Sequence, residues 1–166
     1  MRFAPAAAAL SLCLAMSASV LSAGAGDEPD PRAAALLAQG HAALNAGETQ
    51  AAIDAFEAAL SVDPGYTPIF VALGEAARQS GLQGKAIRYY REALARDPGN
   101  FAAISGEGSA LLEKGAVEKA KRNLATLQSL CGDTCPETVA LQGTIARGVP
   151  ARLAAETGTD SGTVSN

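Results

Sequence analysis

The chain has 166 residues, of which 48% are apolar and only 4% aromatic, with no tryptophan. Lys and Arg number 13 against 17 Asp and Glu, a net charge of -4 with no dense basic stretch, which argues against nucleic-acid binding. The length suits one ordinary domain, and the many alanines suit closely packed helices with small residues at their contacts.

The N-terminus reads as an export signal. Met1-Arg2 is basic, Phe3 to Leu21 is apolar, and Ala23-Gly24-Ala25 fits a small-x-small cleavage pattern. Cleavage after Ala25 makes 1–25 a signal peptide of bacterial style. The alternative is a retained membrane anchor, for which Pro5, Ser11, Ser17 and Ser19 are poorly suited. Cys13 follows Leu12 inside the apolar stretch, a poor setting for lipid attachment. The expected destination is the periplasm or beyond, an oxidising compartment, with no membrane insertion after cleavage.

Residues 26–32 (GDEPDPR) read as a flexible leader. From Ala33 to about Cys131 the pattern is helical, with apolar residues at three- and four-residue steps, as in Ile53, Phe56, Leu60 and in Ile87, Tyr90, Leu94. A step of 34 residues relates Gly47, Gly81 and Gly115. It also relates Gly40, Gly74 and Gly108; Ala52, Ala86 and Ala120; and the bulky Phe56, Tyr90 and Leu124. Such a period means one unit used three times, over 33–66, 67–100 and 101–134.

Each unit is expected to hold two helices. The first ends at Gly47, Gly81 or Gly115, which can supply a positive φ. The second ends at Asp63-Pro64 or Asp97-Pro98, because proline lacks the amide hydrogen and disfavours helix before it. Gly40 and Gly74 fall mid-helix, where glycine costs about 1 kcal/mol relative to alanine, a cost tolerable where helices approach closely. Phe56, Tyr90 and Leu124 are the residues expected to fill the space between paired helices, with Tyr89 partly on the surface.

A last helix over 136–147 begins at Pro136, where the missing amide is harmless, and offers Val139, Leu141 and Ile145 to cap the stack. Cys131 and Cys135, in LCGDTCPE, sit at the corner before it. Residues four apart in a helix-like turn have α-carbons about 6 Å apart, within reach of a disulfide, and a structural staple is the leading reading. A redox-active pair is the second. Cys135 at a helix N-terminus favours it, but the spacing is C-x-x-x-C and no βαβ pattern surrounds it. A metal-handling pair is the third, since C-x-x-x-C-P resembles the copper motif of some cytochrome oxidase assembly factors. Those need a distant histidine, and His41 is two units away. Residues 149–166 have little to bury and read as a disordered tail.

The unit from Thr67 to Asn100 resembles the tetratricopeptide repeat. Phe70, Leu73-Gly74, Ala77, Gly81, Ala86, Tyr90, Ala93 and Pro98 all stand where that signature expects them. The unit from Ala33 to Tyr66 matches nearly as well. The unit from Phe101 to Thr134 has drifted, with Leu127 at a usually small position and no closing Asp-Pro. The resemblance covers about 100 of the 166 residues. It implies an all-α solenoid of three helix-turn-helix repeats plus a C-terminal capping helix.

Together with the export signal, which sets the location, the resemblance leads to the expectation of a non-catalytic scaffold of the cell envelope that binds an unidentified protein or peptide, without a cofactor. The first helix of each repeat would line a concave groove. Its exposed positions would be Leu37, His41, Leu44 and Asn45; Val71, Glu75, Arg78 and Gln79; and Ser105, Ser109, Leu112 and Glu113. Some members of the family clamp a terminal carboxylate with Lys and Asn, but Leu37 and His41 occupy those places here, so that function is not supported. No phosphate-cradling glycine loop is visible, and His41 has no acid and nucleophile set, so no enzyme is expected.

Overall fold

A computed structural model describes residues 28–148. The expected signal peptide and tail, and the first two leader residues, lie outside that range. The described chain is all α, with seven helices and no strand. They are α1 (Pro31–Asn45), α2 (Thr49–Val62), α3 (Thr67–Gln79), α4 (Gln83–Arg96), α5 (Phe101–Glu113), α6 (Val117–Cys131) and α7 (Pro136–Arg147). None is long and apolar enough to cross a membrane.

Local chemistry sets the helix ends. The first helix starts at Pro31 rather than Ala33 because Asp30 caps it, accepting a hydrogen bond from the Arg32 amide at 2.8 Å. The helices α1, α3 and α5 all end in the same way. Gly47, Gly81 and Gly115 adopt φ of 79°, 74° and 83°. Their amides donate to Leu44, Arg78 and Leu112, while the next amides donate to Ala43, Ala77 and Leu111. That paired pattern satisfies carbonyls that the helix leaves open. Asp63 and Asp97 close α2 and α4, each accepting from the amide two residues on, Gly65 at 3.3 Å and Gly99 at 3.2 Å.

The helices stack in consecutive pairs, α1 with α2, α3 with α4 and α5 with α6, and α7 lies against both α5 and α6. Phe56 and Tyr90 are buried and lie on the bare faces of Gly40 and Gly74. A β-carbon on Gly74 would come 2.7 Å from the Tyr90 ring. Here the glycines trade helix propensity for a buried aromatic, which removes far more apolar surface from water.

The third pair departs from expectation. Leu124 is only half-buried, and the notch at Gly108 is filled by Leu141 of α7, whose Cδ2 would lie 2.6 Å from a β-carbon there. Leu127, at the position expected to be small, is fully buried with Ile104 and Leu141. The physical reason is that α6 must close against a terminal helix rather than another full repeat. The knob is therefore supplied from outside the pair.

Leu44 and Leu112 also differ from expectation. They are buried, Leu44 with Ile53 and Phe56 and Leu112 with Ala110 and Ala120, and so face the paired helices rather than a groove. Burying a leucine is favourable by about 2 kcal/mol, and the pairing surface offers that burial.

Candidate groove and its polar floor

A cavity of about 900 Å³ runs along the first helix of each pair and on to α7. His41 reaches it from α1; Val71, Glu75 and Arg78 from α3; and Ser105, Ser109 and Glu113 from α5. Besides the buried Leu44 and Leu112, three further expected groove residues stand outside the lining. Leu37 is half-buried against the core of the first pair, while Asn45 and Gln79 are exposed at the ends of their helices. Gln79 still acts on the groove, because its side-chain amide donates to Glu75 Oε1 at 3.0 Å.

The rest of the wall was not anticipated. Pro68 and Ala72 contribute from α3, Ala102 and Gly106 from α5, and Pro136, Glu137, Ala140, Thr144 and Arg147 from α7. A sequence signal for them exists. Continuing the 34-residue step from Pro68 through Ala102 lands on Pro136, and from Ala72 through Gly106 on Ala140. The terminal helix thus behaves as the first helix of a fourth unit, and Ser105 ties it down by donating to the Glu137 carbonyl at 3.2 Å.

The floor carries one ionic network. Arg78 donates through Nε and Nη2 to the two oxygens of Glu75, at 3.1 and 2.7 Å, and through Nη1 to Glu113 Oε1. Burial alone would lower the Arg78 pKa, but the hydrogen bonds and charges of Glu75 and Glu113 outweigh it and raise it. Burial likewise opposes ionisation of Glu75. Hydrogen bonds from Arg78 and Gln79 and the Arg78 charge prevail, holding this carboxyl below its ordinary value. Tyr90, fully buried at the base, donates its hydroxyl to Glu75 Oε2 at 3.2 Å. Burial and the Glu75 charge push the Tyr90 phenol well above its usual value.

A second network sits between the pairs. Glu107, buried on α5, accepts from Arg91 Nε at 2.7 Å and from Asn123 Nδ2 at 3.0 Å, joining α4, α5 and α6. At the last corner the α-carbons of Cys131 and Cys135 are 5.7 Å apart, and their sulfurs are paired. Cys131 ends α6 and Cys135 is the N-cap of α7, so the link leads directly into the groove wall. Glu137 Oε2 lies 3.1 Å from the Cys135 sulfur. Among the described residues, no cluster of three or more His, Cys, Asp or Glu is arranged to hold a metal.

A family model described as the tetratricopeptide repeat matches three overlapping segments, residues 17–67, 37–101 and 71–121. The chain belongs to the tetratricopeptide repeat family. No curated protein sequence matches this tetratricopeptide repeat protein. Solved structures do.

The first such domain of Spaghetti (RPAP3), bound to the HSP90 peptide SRMEEVD, is 19% identical, with a TM-score of 0.64 over 75% of this chain and 98% of its own. The Sgt2 domain from Aspergillus fumigatus is 24% identical, with a TM-score of 0.64 over 83% of this chain and 89% of its own. The type III secretion chaperone SycD of Yersinia enterocolitica, with a peptide of the translocator YopD, is 21% identical, with a TM-score of 0.61 over 74% of this chain and 93% of its own. At these identities the likeness establishes the fold.

Proposed function

We propose that this tetratricopeptide repeat protein is an exported bacterial adaptor of the cell envelope that holds a protein or peptide segment in the groove of α1, α3, α5 and α7, without a catalytic step. The observation that carries the reading is the groove. Its volume suits a chain segment, rigid helices build its walls, and polar groups converge on its floor. Similar folds holding an HSP90 peptide and a YopD peptide support peptide capture as the mode of action. Export rests on the composition of residues 1–25, and an oxidising destination suits a Cys131–Cys135 disulfide.

Action through the cysteine pair is the weaker reading. A helix N-terminus favours a reactive thiolate at Cys135, but the Glu137 carboxylate beside that sulfur opposes it.

The test is site-specific photo-crosslinking from Val71 in the native envelope, comparing wild type with Arg78→Glu/Glu75→Lys. The expected result is one or a few partners lost in the variant. An unchanged partner list would sink the groove reading. Fractionation with N-terminal sequencing tests export, with Gly26 expected as the mature first residue.

A further inference from the structure

The charge character of the groove floor follows from how Arg78 is held. All three nitrogens of its guanidinium face carboxylates, two hydrogen bonds going to Glu75 and one to Glu113. Two of its five N–H donors, one on each terminal nitrogen, are left over, but the charge of Arg78 is already shared by two carboxylates, which weakens its pull on an anionic ligand. The lining as a whole carries Glu75, Glu113 and Glu137 against Arg78 and Arg147, an excess of one negative charge. Arg147 is itself engaged, donating to Thr144 Oγ1 at 3.0 Å.

The negative charge is also unevenly satisfied. Glu113 gives Oε1 to Arg78, while its Oε2 is buried and meets no donor among the described residues. A buried carboxylate oxygen without a donor carries a desolvation cost, and the negative charge it leaves beside the groove would be offset by a cation bound there. Ser109, one turn before Glu113, also lines the groove.

We infer that the Glu113 end of the groove is a subsite for a basic side chain, so that the occupant is a protein segment presenting Lys or Arg there. The inference rests on the groove being the binding site. An acidic tail is disfavoured at the same place, since it would add a carboxylate to two already sharing Arg78.

The experiment uses the full-length protein as bait for a random dodecapeptide library displayed on phage. Fluorescence anisotropy then follows the best peptide and its twin with each Lys or Arg changed to Gln. The expected result is one enriched basic position, about tenfold weaker binding by the Gln twin, and an affinity that falls with salt. Glu113→Gln should remove the preference while keeping the side-chain shape. Ser109→Lys should remove it from the other direction, placing an ammonium in the subsite with all carboxylates intact.

Groove-dependent peptides with no basic preference, or with an acidic one, would overturn the inference and leave the groove function standing. Peptides indifferent to the Arg78→Glu/Glu75→Lys variant would overturn both. Tighter probe binding by full-length Arg152→Gln would assign the subsite to the chain's own C-terminal segment and overturn a separate partner.

Discussion

The ring of Tyr90 occupies the space that a side chain on Gly106 would need. A β-carbon there would overlap the ring and lie 2.8 Å from the hydroxyl oxygen. Tyr90 therefore packs into glycine faces on two sides, Gly74 within its own unit and Gly106 of the next. That placement lets its hydroxyl reach Glu75 from below the groove. Gly106→Ala should lower stability by about 1–3 kcal/mol through overpacking, although alanine favours the helix by about 1 kcal/mol. Thermal melts of the two proteins decide it, and a variant as stable as wild type would mean the ring has room to move.

The Glu75–Arg78–Glu113 network predicts a specific acid response. The folded Glu75 carboxyl titrates below its ordinary value of about 4.5. Its ionised form therefore stabilises the fold above that pH, and the contribution is lost as pH falls through the folded value. Denaturant midpoints should drop on acidification below about pH 4.5, and Arg78→Met should flatten that drop. The same substitution should lower stability at neutral pH by about 1–3 kcal/mol, since it leaves two half-buried carboxylates side by side. Parallel pH profiles for wild type and variant would contradict this account.

Leu141 should hold the terminal helix in place. It is fully buried and fills the notch at Gly108. Leu141→Ala should cost about 2–5 kcal/mol in urea denaturation. Amide exchange over α7 should accelerate more than exchange over α3. Unchanged protection of α7 would show that other contacts suffice.

The cysteine corner should matter to binding as well as to stability. Intact mass should be two hydrogens lighter before reduction than after it, and free thiols in the protein isolated from its native compartment would refute the staple. Cys131→Ser/Cys135→Ser closes no loop and should lose about 2 kcal/mol, the low end expected for so short a ring. Because Pro136, Glu137 and Ala140 line the groove, crosslinking to the partner should also weaken. Undiminished capture by the double variant would separate the corner from the groove.

Gly81 tests the repeat joint alone. With φ of 74° and no neighbour near a β-carbon, Gly81→Ala meets backbone strain and no clash. It should cost about 1 kcal/mol, read as a small drop in melting temperature.

Much of the fold was legible because its signals are local. Gly47, Gly81 and Gly115 end helices through their own backbone angles, and Asp63-Pro64 and Asp97-Pro98 stop them through a missing amide and a side-chain turn. Such features act within a few residues, so the sequence by itself determined the seven helices and their pairing into repeats. It could not say which edge positions of each first helix turn inward. Leu44 and Leu112 went inward, while Val71, Glu75 and Ser109 line the groove, because stacking of one pair on the next chooses the buried stripe. Nor could it show that Leu141 would replace Leu124 as the knob of the third pair, or that α7 would serve as both cap and wall. Those outcomes depend on contacts between residues far apart in the chain. Only the tertiary structure decided them, because a side chain's burial is set by whichever surface finally covers it.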